Sequence, residues 1–128
     1  AIESLSKCDF KELEELSICH TQILEVGIEY LIKCDFKNLK KLDLGVTPIT
    51  DGAMQHLTKC NFKNLEGLFL DNTNITDRAI EYLVKCDFKN ITCLNLTRTK
   101  ITQKSVEFLI KCNFTQLKEL SLLYNDIR

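Results

Sequence analysis

The chain has 128 residues, of which 45% are hydrophobic and 27% charged, and its formal net charge is −1 at pH 7. That length and composition fit one folded domain spanning 1–128. So small a net charge offers no field for nucleic acid or an anionic membrane, and no apolar run reaches the length of a membrane span, so neither is expected as a partner.

Shifted by 26 residues, the chain overlays itself. KCDFKELEELSICHTQILEVGIEYLI, beginning at Lys7, is followed by KCDFKNLKKLDLGVTPITDGAMQHLT, KCNFKNLEGLFLDNTNITDRAIEYLV and KCDFKNITCLNLTRTKITQKSVEFLI. A fifth copy opens as KCNFTQLKELSLLYNDIR before the chain ends. A fixed period of this length is the mark of a solenoid, built from about five units with partial ones at both ends. Ala1 aligns with Gly27, Ala53 and Ala79 inside a helix, and neither end has a polar capping repeat. The expectation is a piece of a longer array, with end-to-end self-association through apolar ends as a further possibility.

Each unit is read in three steps. It opens with L-x-x-L-x-L: Leu13, Leu16, Ile18; Leu39, Leu42, Leu44; Leu65, Leu68, Leu70; Ile91, Leu94, Leu96; Leu117, Leu120, Leu122. Its second half alternates apolar and polar, which predicts a short strand with one face buried. A turn and an inward apolar residue follow, at Ile23, Ile49, Ile75, Ile101 and Ile127. Then comes a helix, opened by Thr50-Asp51, Thr76-Asp77 or Thr102-Gln103, where Thr serves as N-cap and the acid complements the helix dipole. Lys33, Lys59, Lys85 and Lys111 are placed in the last turn, where a cation is favoured.

Between helix and strand, Phe10, Phe36, Phe62, Phe88 and Phe114 read as a spine packed between layers. Tyr30, His56, Tyr82 and Phe108 form a helical column and a secondary candidate surface. Thr21, Thr47, Thr73 and Thr99, with Asn125 in the same column, are read as partners for loop backbone groups.

The unit L-x-x-L-x-L-x-x-T-x-I-T-D resembles a leucine-rich repeat, and the resemblance covers essentially the whole chain. The period, the I-T-D helix start and the recurring Cys are similar to the cysteine-containing subtype and to ribonuclease-inhibitor-like repeats. Thr stands where that family usually has Asn or Cys, and the segment from Cys34 to Leu39 is longer than usual for the subtype. The resemblance implies an α/β fold, a right-handed solenoid with a curved parallel sheet on its concave face and helices on its convex face. It also implies a module that binds another protein through the concave face. Narrower readings are the substrate-recognition part of a ubiquitin-ligase adaptor, or a bacterial effector, and a different one is a structural spacer between domains.

Strand residues alternate sides, so the x positions and the two residues after the strand line the candidate face. The partner-binding set is Glu15, Ser17 and His20; Lys41, Asp43 and Val46; Phe69, Asp71 and Asn72; Asn95 and Arg98; and Glu119, Ser121 and Tyr124. Phe69 is the expected apolar anchor, flanked by Asp43 and Asn95, and Arg98 stands beside Tyr124, residue types that dominate binding hot spots.

Catalysis is not expected. His20 and Cys93 are the one nucleophile–base pair worth testing, and they lie three units apart, roughly 14 Å at about 4.8 Å per strand. No glycine pattern cradles a phosphate, and no C-x-x-C pair announces zinc, so no cofactor or metal is expected. The seven cysteines, five of them at the repeat period (Cys8, Cys34, Cys60, Cys86, Cys112), read as compact buried thiols. Unpaired thiols in that number point to a reducing compartment, the cytoplasm, or a host cytosol for an effector. The N-x-[ST] triplets at Asn74, Asn90, Asn95 and Asn113 are glycan acceptors if the chain is secreted.

Overall fold

The computed structural model describes residues 2–86, 88–112 and 114–128. Ala1 and Asn113, both used in the sequence reading, lie outside them. Strand and helix alternate along the chain: α1 (Ile2–Leu5), β1 (Glu15–Ser17), α2 (Glu25–Leu31), β2 (Lys41–Asp43), α3 (Asp51–Leu57), β3 (Gly67–Phe69), α4 (Asp77–Leu83), β4 (Cys93–Asn95), α5 (Gln103–Ile110) and β5 (Glu119–Ser121). The strands form one parallel sheet in chain order. Leu16, Leu42, Leu68, Leu94 and Leu120 stand in one row, so partners across each strand pair are 26 residues apart. Every parallel crossover runs through a helix, the connection that right-twisted strands close with a right hand.

The inward side chains make a single core. Leu42, Leu68 and Leu94 are 3%, 1% and 0% exposed, sealed by the layers on both sides. Leu120, at the same position of the outermost layer, is 42% exposed. Phe36, Phe62 and Phe88 are buried beneath the connections from helix to strand, and Phe10 stacks on Phe36 at 6.2 Å between ring centres.

Two of the polar columns do more than local helix rules assign. Thr76 and Thr102 occupy N-caps and accept weakly from the backbone N–H of Arg78 and Lys104 (3.3 Å each), while Thr50 makes no such bond. The acid after the cap does more. Asp51 accepts both the N–H and the hydroxyl of Thr76 (2.7 and 2.6 Å), one layer on. Asp77 accepts the same pair from Thr102 (2.8 and 2.6 Å) and the hydroxyl of Ser105. These carboxylates clamp layers together as well as facing their own helix ends.

The first unit lacks that device, since Leu24 and Glu25 replace Thr and Asp. There His56 of α3 reaches back to Glu25 and Glu29 of α2 (3.3 and 3.0 Å). The lysines assigned to the last helical turn stand just outside it. Lys33, Lys59 and Lys85 follow the C-caps Ile32, Thr58 and Val84, and Lys111 is itself a C-cap.

The threonine column caps the turn after each strand. The hydroxyls of Thr21, Thr47 and Thr73 each donate to the carbonyl three residues back, at Ile18, Leu44 and Leu70, over 2.7 Å. Asn125 goes further, donating to the carbonyls of Leu122 in its own layer and Leu96 in the one before. A second ladder, unread in the sequence, holds the loops before the strands. Asn38, Asn64 and Asn90 donate their amides to the carbonyls of Lys11, Lys37 and Lys63 in the preceding layer, over 2.6–2.9 Å.

All seven cysteines are free. In the periodic column Cys8 is exposed, Cys34 buried and the rest part-buried. Burial, aided by the neighbouring Cys86 and Cys34 thiols, pushes the Cys60 thiol up to about 12, and burial takes Cys86 to about 11. Such groups stay neutral at physiological pH and pack as small hydrophobes.

Candidate functional site

Outward-facing strand residues stand in two columns fixed by the sheet register. One runs Glu15, Lys41, Gly67, Cys93, Glu119, and the next Ser17, Asp43, Phe69, Asn95, Ser121. Phe69 therefore lies between Asp43 and Asn95, but it does not stand upright. A Cβ added to Gly67 would sit 3.0 Å from the Phe69 ring edge, so the ring lies across the bare glycine. The Lys41 ammonium covers it from the neighbouring strand, 5.2 Å from the ring centre, within reach of a cation–π attraction. Around this ring a shallow depression of about 280 Å³ is lined by Glu15, Lys41, Gly67, Phe69 and Cys93 together with Glu66. Gly67, which the sequence places on the lined surface, is buried as its floor.

Several residues of the candidate set turn their polar atoms to each other. Asp43 accepts the Gly45 N–H (2.9 Å) and Asn95 the Thr97 N–H (3.0 Å), closing the turn after each strand. Ser121 shares a 2.6 Å hydrogen bond with Thr97, and Glu119 accepts a weak one from the Cys93 thiol (3.5 Å). Asp71 leans over Gly45, whose added Cβ would approach one of its oxygens to 2.7 Å. Glu15, Ser17 and His20 are exposed on the first layer, and Ser17 also lies 3.1 Å from the Cys19 sulfur.

A further column was not legible in the sequence as a backbone feature. His20, Val46, Asn72, Arg98 and Tyr124 all have positive φ, between 52° and 58°. The N–H groups of the first four still bond to the next layer, as from Val46 to the Asp71 carbonyl (2.8 Å). The sheet ladder thus ends at these residues, and the left-handed turn carries the chain off the sheet. Glycine or asparagine is the usual tenant of this conformation, and no glycine occupies it here. The signal available beforehand was the recurring position three residues past the strand, with nothing in the residue types to mark it.

Arg98 and Tyr124, adjacent in this column, are in contact, the guanidinium 4.7 Å from the ring centre. Tyr124 is 73% exposed and Val46 38%. For β-branched Val46 the conformation is strained, by roughly 1–3 kcal/mol. Val46→Asn is expected to raise the unfolding free energy by about 1 kcal/mol, read as a higher urea midpoint at unchanged slope. The contact of a straight substitution without strain relief, Val46→Thr, sets the baseline: an equal gain from it would remove the backbone explanation.

Two strands, β2 and β3, stand between β1, which His20 follows, and β4, which carries Cys93. Burial, together with the Glu119 hydrogen bond and charge, raises the Cys93 pKa, the reverse of what a thiolate nucleophile needs. The helical column is largely occupied with packing. Tyr82 and Phe108 lie against the core, His56 is held by its two glutamates, and Lys33 covers Tyr30 at 4.9 Å.

No protein-family model and no curated protein matches the sequence. Among solved structures, an internalin from Listeria monocytogenes (InlF) matches over 100% of this chain and 46% of its own, with TM-score 0.53 and 18% identity. The chain has the leucine-rich-repeat fold. A plant peptide hormone receptor, RGFR1 in complex with RGF2, matches over 98% of this chain and 30% of its own, at TM-score 0.32 and 13% identity, too distant to add to the assignment. This leucine-rich-repeat chain spans less than half the length of the internalin, and at such identity the likeness extends to the fold alone.

Proposed function

We propose that this leucine-rich-repeat chain is a non-catalytic module that binds a partner protein on the outward face of its parallel sheet. The observation that carries the reading is the central depression, where an apolar ring under Lys41 is surrounded by polar side chains and left open to solvent. An apolar centre inside a polar rim is the common anatomy of a protein interface. The exposed Arg98–Tyr124 pair supplies a second anchor one column away, of the residue types enriched in hot spots.

The subtype reading goes with this proposal. The periodic cysteines and the Ile-Thr-Asp helix starts support a cysteine-containing, ribonuclease-inhibitor-like repeat, and seven free thiols support a reducing, cytoplasmic setting.

The test is affinity capture from cytosolic lysate with the native sequence and with a Phe69→Ala/Arg98→Ala double variant, after circular dichroism shows that both fold alike. The expected result is one identified partner retained by the first and lost, by about a hundredfold in affinity, by the second. Equal capture by both would move the functional surface off the sheet.

A further inference from the structure

We propose that the edge of the solenoid joining each helix to the next strand is a second docking surface, for an extended acidic peptide segment of a partner protein. This surface is separate from the sheet face and does not depend on it. Two exposed lysines per unit stand there, Lys33 and Lys37 in one layer, Lys59 and Lys63 in the next, and Lys85 beyond. Among the described residues, none of these five is paired with a carboxylate. Helix ends account for Lys33, Lys59 and Lys85, which follow the C-caps. They do not account for Lys37 and Lys63, and like charges repeated at the roughly 4.8 Å layer spacing repel one another.

The loops that carry the lysines are held firmly. The Asn64 amide bonds the Lys37 carbonyl (2.7 Å) and the Asn90 amide the Lys63 carbonyl (2.9 Å). Within the loop, Asp35 accepts the Lys37 N–H (3.3 Å), and in the next unit Asn61 accepts the Lys63 N–H (3.4 Å). The turn is kept there while the negative charge is dropped, so the positive strip is strongest around Lys59 and Lys63. At that point Lys63 and Lys85 flank a cleft of about 200 Å³ lined by Thr58 and Asn61 as well as by Cys60, Cys86 and the edges of Phe62 and Phe88. The raised thiol pKa values keep the two cysteines uncharged.

A strip of lysines without carboxylate partners, beside a cleft of mixed lining, matches a peptide strand bearing acidic side chains. A nucleic acid fits less well. Glu12, Glu14 and Glu66 line the adjoining strip with the asparagine ladder, and a wide polyanion would meet them.

The test is fluorescence anisotropy with a short labelled peptide of Asp and Glu. Its Asn/Gln analogue and a single-stranded oligodeoxynucleotide of equal charge are the comparison probes. The acidic peptide is expected to bind saturably and to weaken with added salt. It should weaken by about tenfold in Lys59→Ser/Lys63→Ser/Lys85→Ser, three surface ion pairs lost together. Binding should persist in Phe69→Ala/Arg98→Ala, which separates this surface from the sheet face. The proposal is overturned if the acidic peptide does not bind or if its Asn/Gln analogue binds equally. An unaffected triple variant, or an oligonucleotide that binds more tightly, overturns it as well.

Discussion

Asp77→Ala is expected to lower the unfolding free energy by about 3 kcal/mol, because three donors from the next layer lose one acceptor. The Thr102 N–H, the Thr102 hydroxyl and the buried Ser105 hydroxyl all converge on this carboxylate. Asp51 one layer earlier receives only the two donors of Thr76, since Ala79 stands where the next unit has Ser105. Asp51→Ala should therefore cost less, about 2 kcal/mol.

The pH dependence of Asp77 has a definite sign. Burial opposes its ionisation, but the hydrogen bonds from Ser105 and Thr102 outweigh burial and leave its pKa below the ordinary carboxylate value. A depressed folded pKa stabilises fully above the unfolded value of about 3.9 and is lost as pH falls through the folded one. The difference between the native sequence and Asp77→Asn, measured by urea unfolding, should be flat above about pH 5 and shrink as pH drops below about 4. A gap that stayed constant to pH 2 would mean the carboxylate charge takes no part in the clamp.

Leu68→Ala is expected to cost about 3–4 kcal/mol, whereas Leu120→Ala, the same position of the repeat, should cost about 1 kcal/mol or less. Leu68 is 1% exposed between β2 and β4, and the space it leaves cannot fill with water or collapse easily. Leu120 has a neighbour on one side only and is 42% exposed. Among the described residues, each strand packs its backbone against strands of the adjacent layers and each helix against helices of the adjacent layers, so damage at Leu68 divides the stack in the middle. Two or three units on either side fall at or below what a repeat stack needs to fold, so the transition should move down as one cooperative step. A biphasic curve would instead show that the halves fold independently.

The period of 26 in the sequence was enough to place strand, turn and helix in each unit, because burial recurs once per layer and so do the leucines that fill it. It also placed Phe69 between Asp43 and Asn95, since a parallel in-register sheet turns equal positions into neighbours. The sequence likewise contained the threonine column, whose bonds are local, three residues back along the chain. What it did not contain was the side-chain bonds and ring placements made between layers. Asp51 and Asp77 look like helix-start acids by local rules, and only stacking brings the next unit's threonine onto them. Phe69 reads as a free-standing anchor until the missing Cβ of Gly67 lets its ring lie down beneath Lys41. Left-handed backbone at Val46 or Tyr124 is invisible in residues that do not favour it, being imposed by a ladder that must end before the chain can turn. Local periodicity determines which residues face inward; contacts across the layers determine what those that face outward or sideways hold.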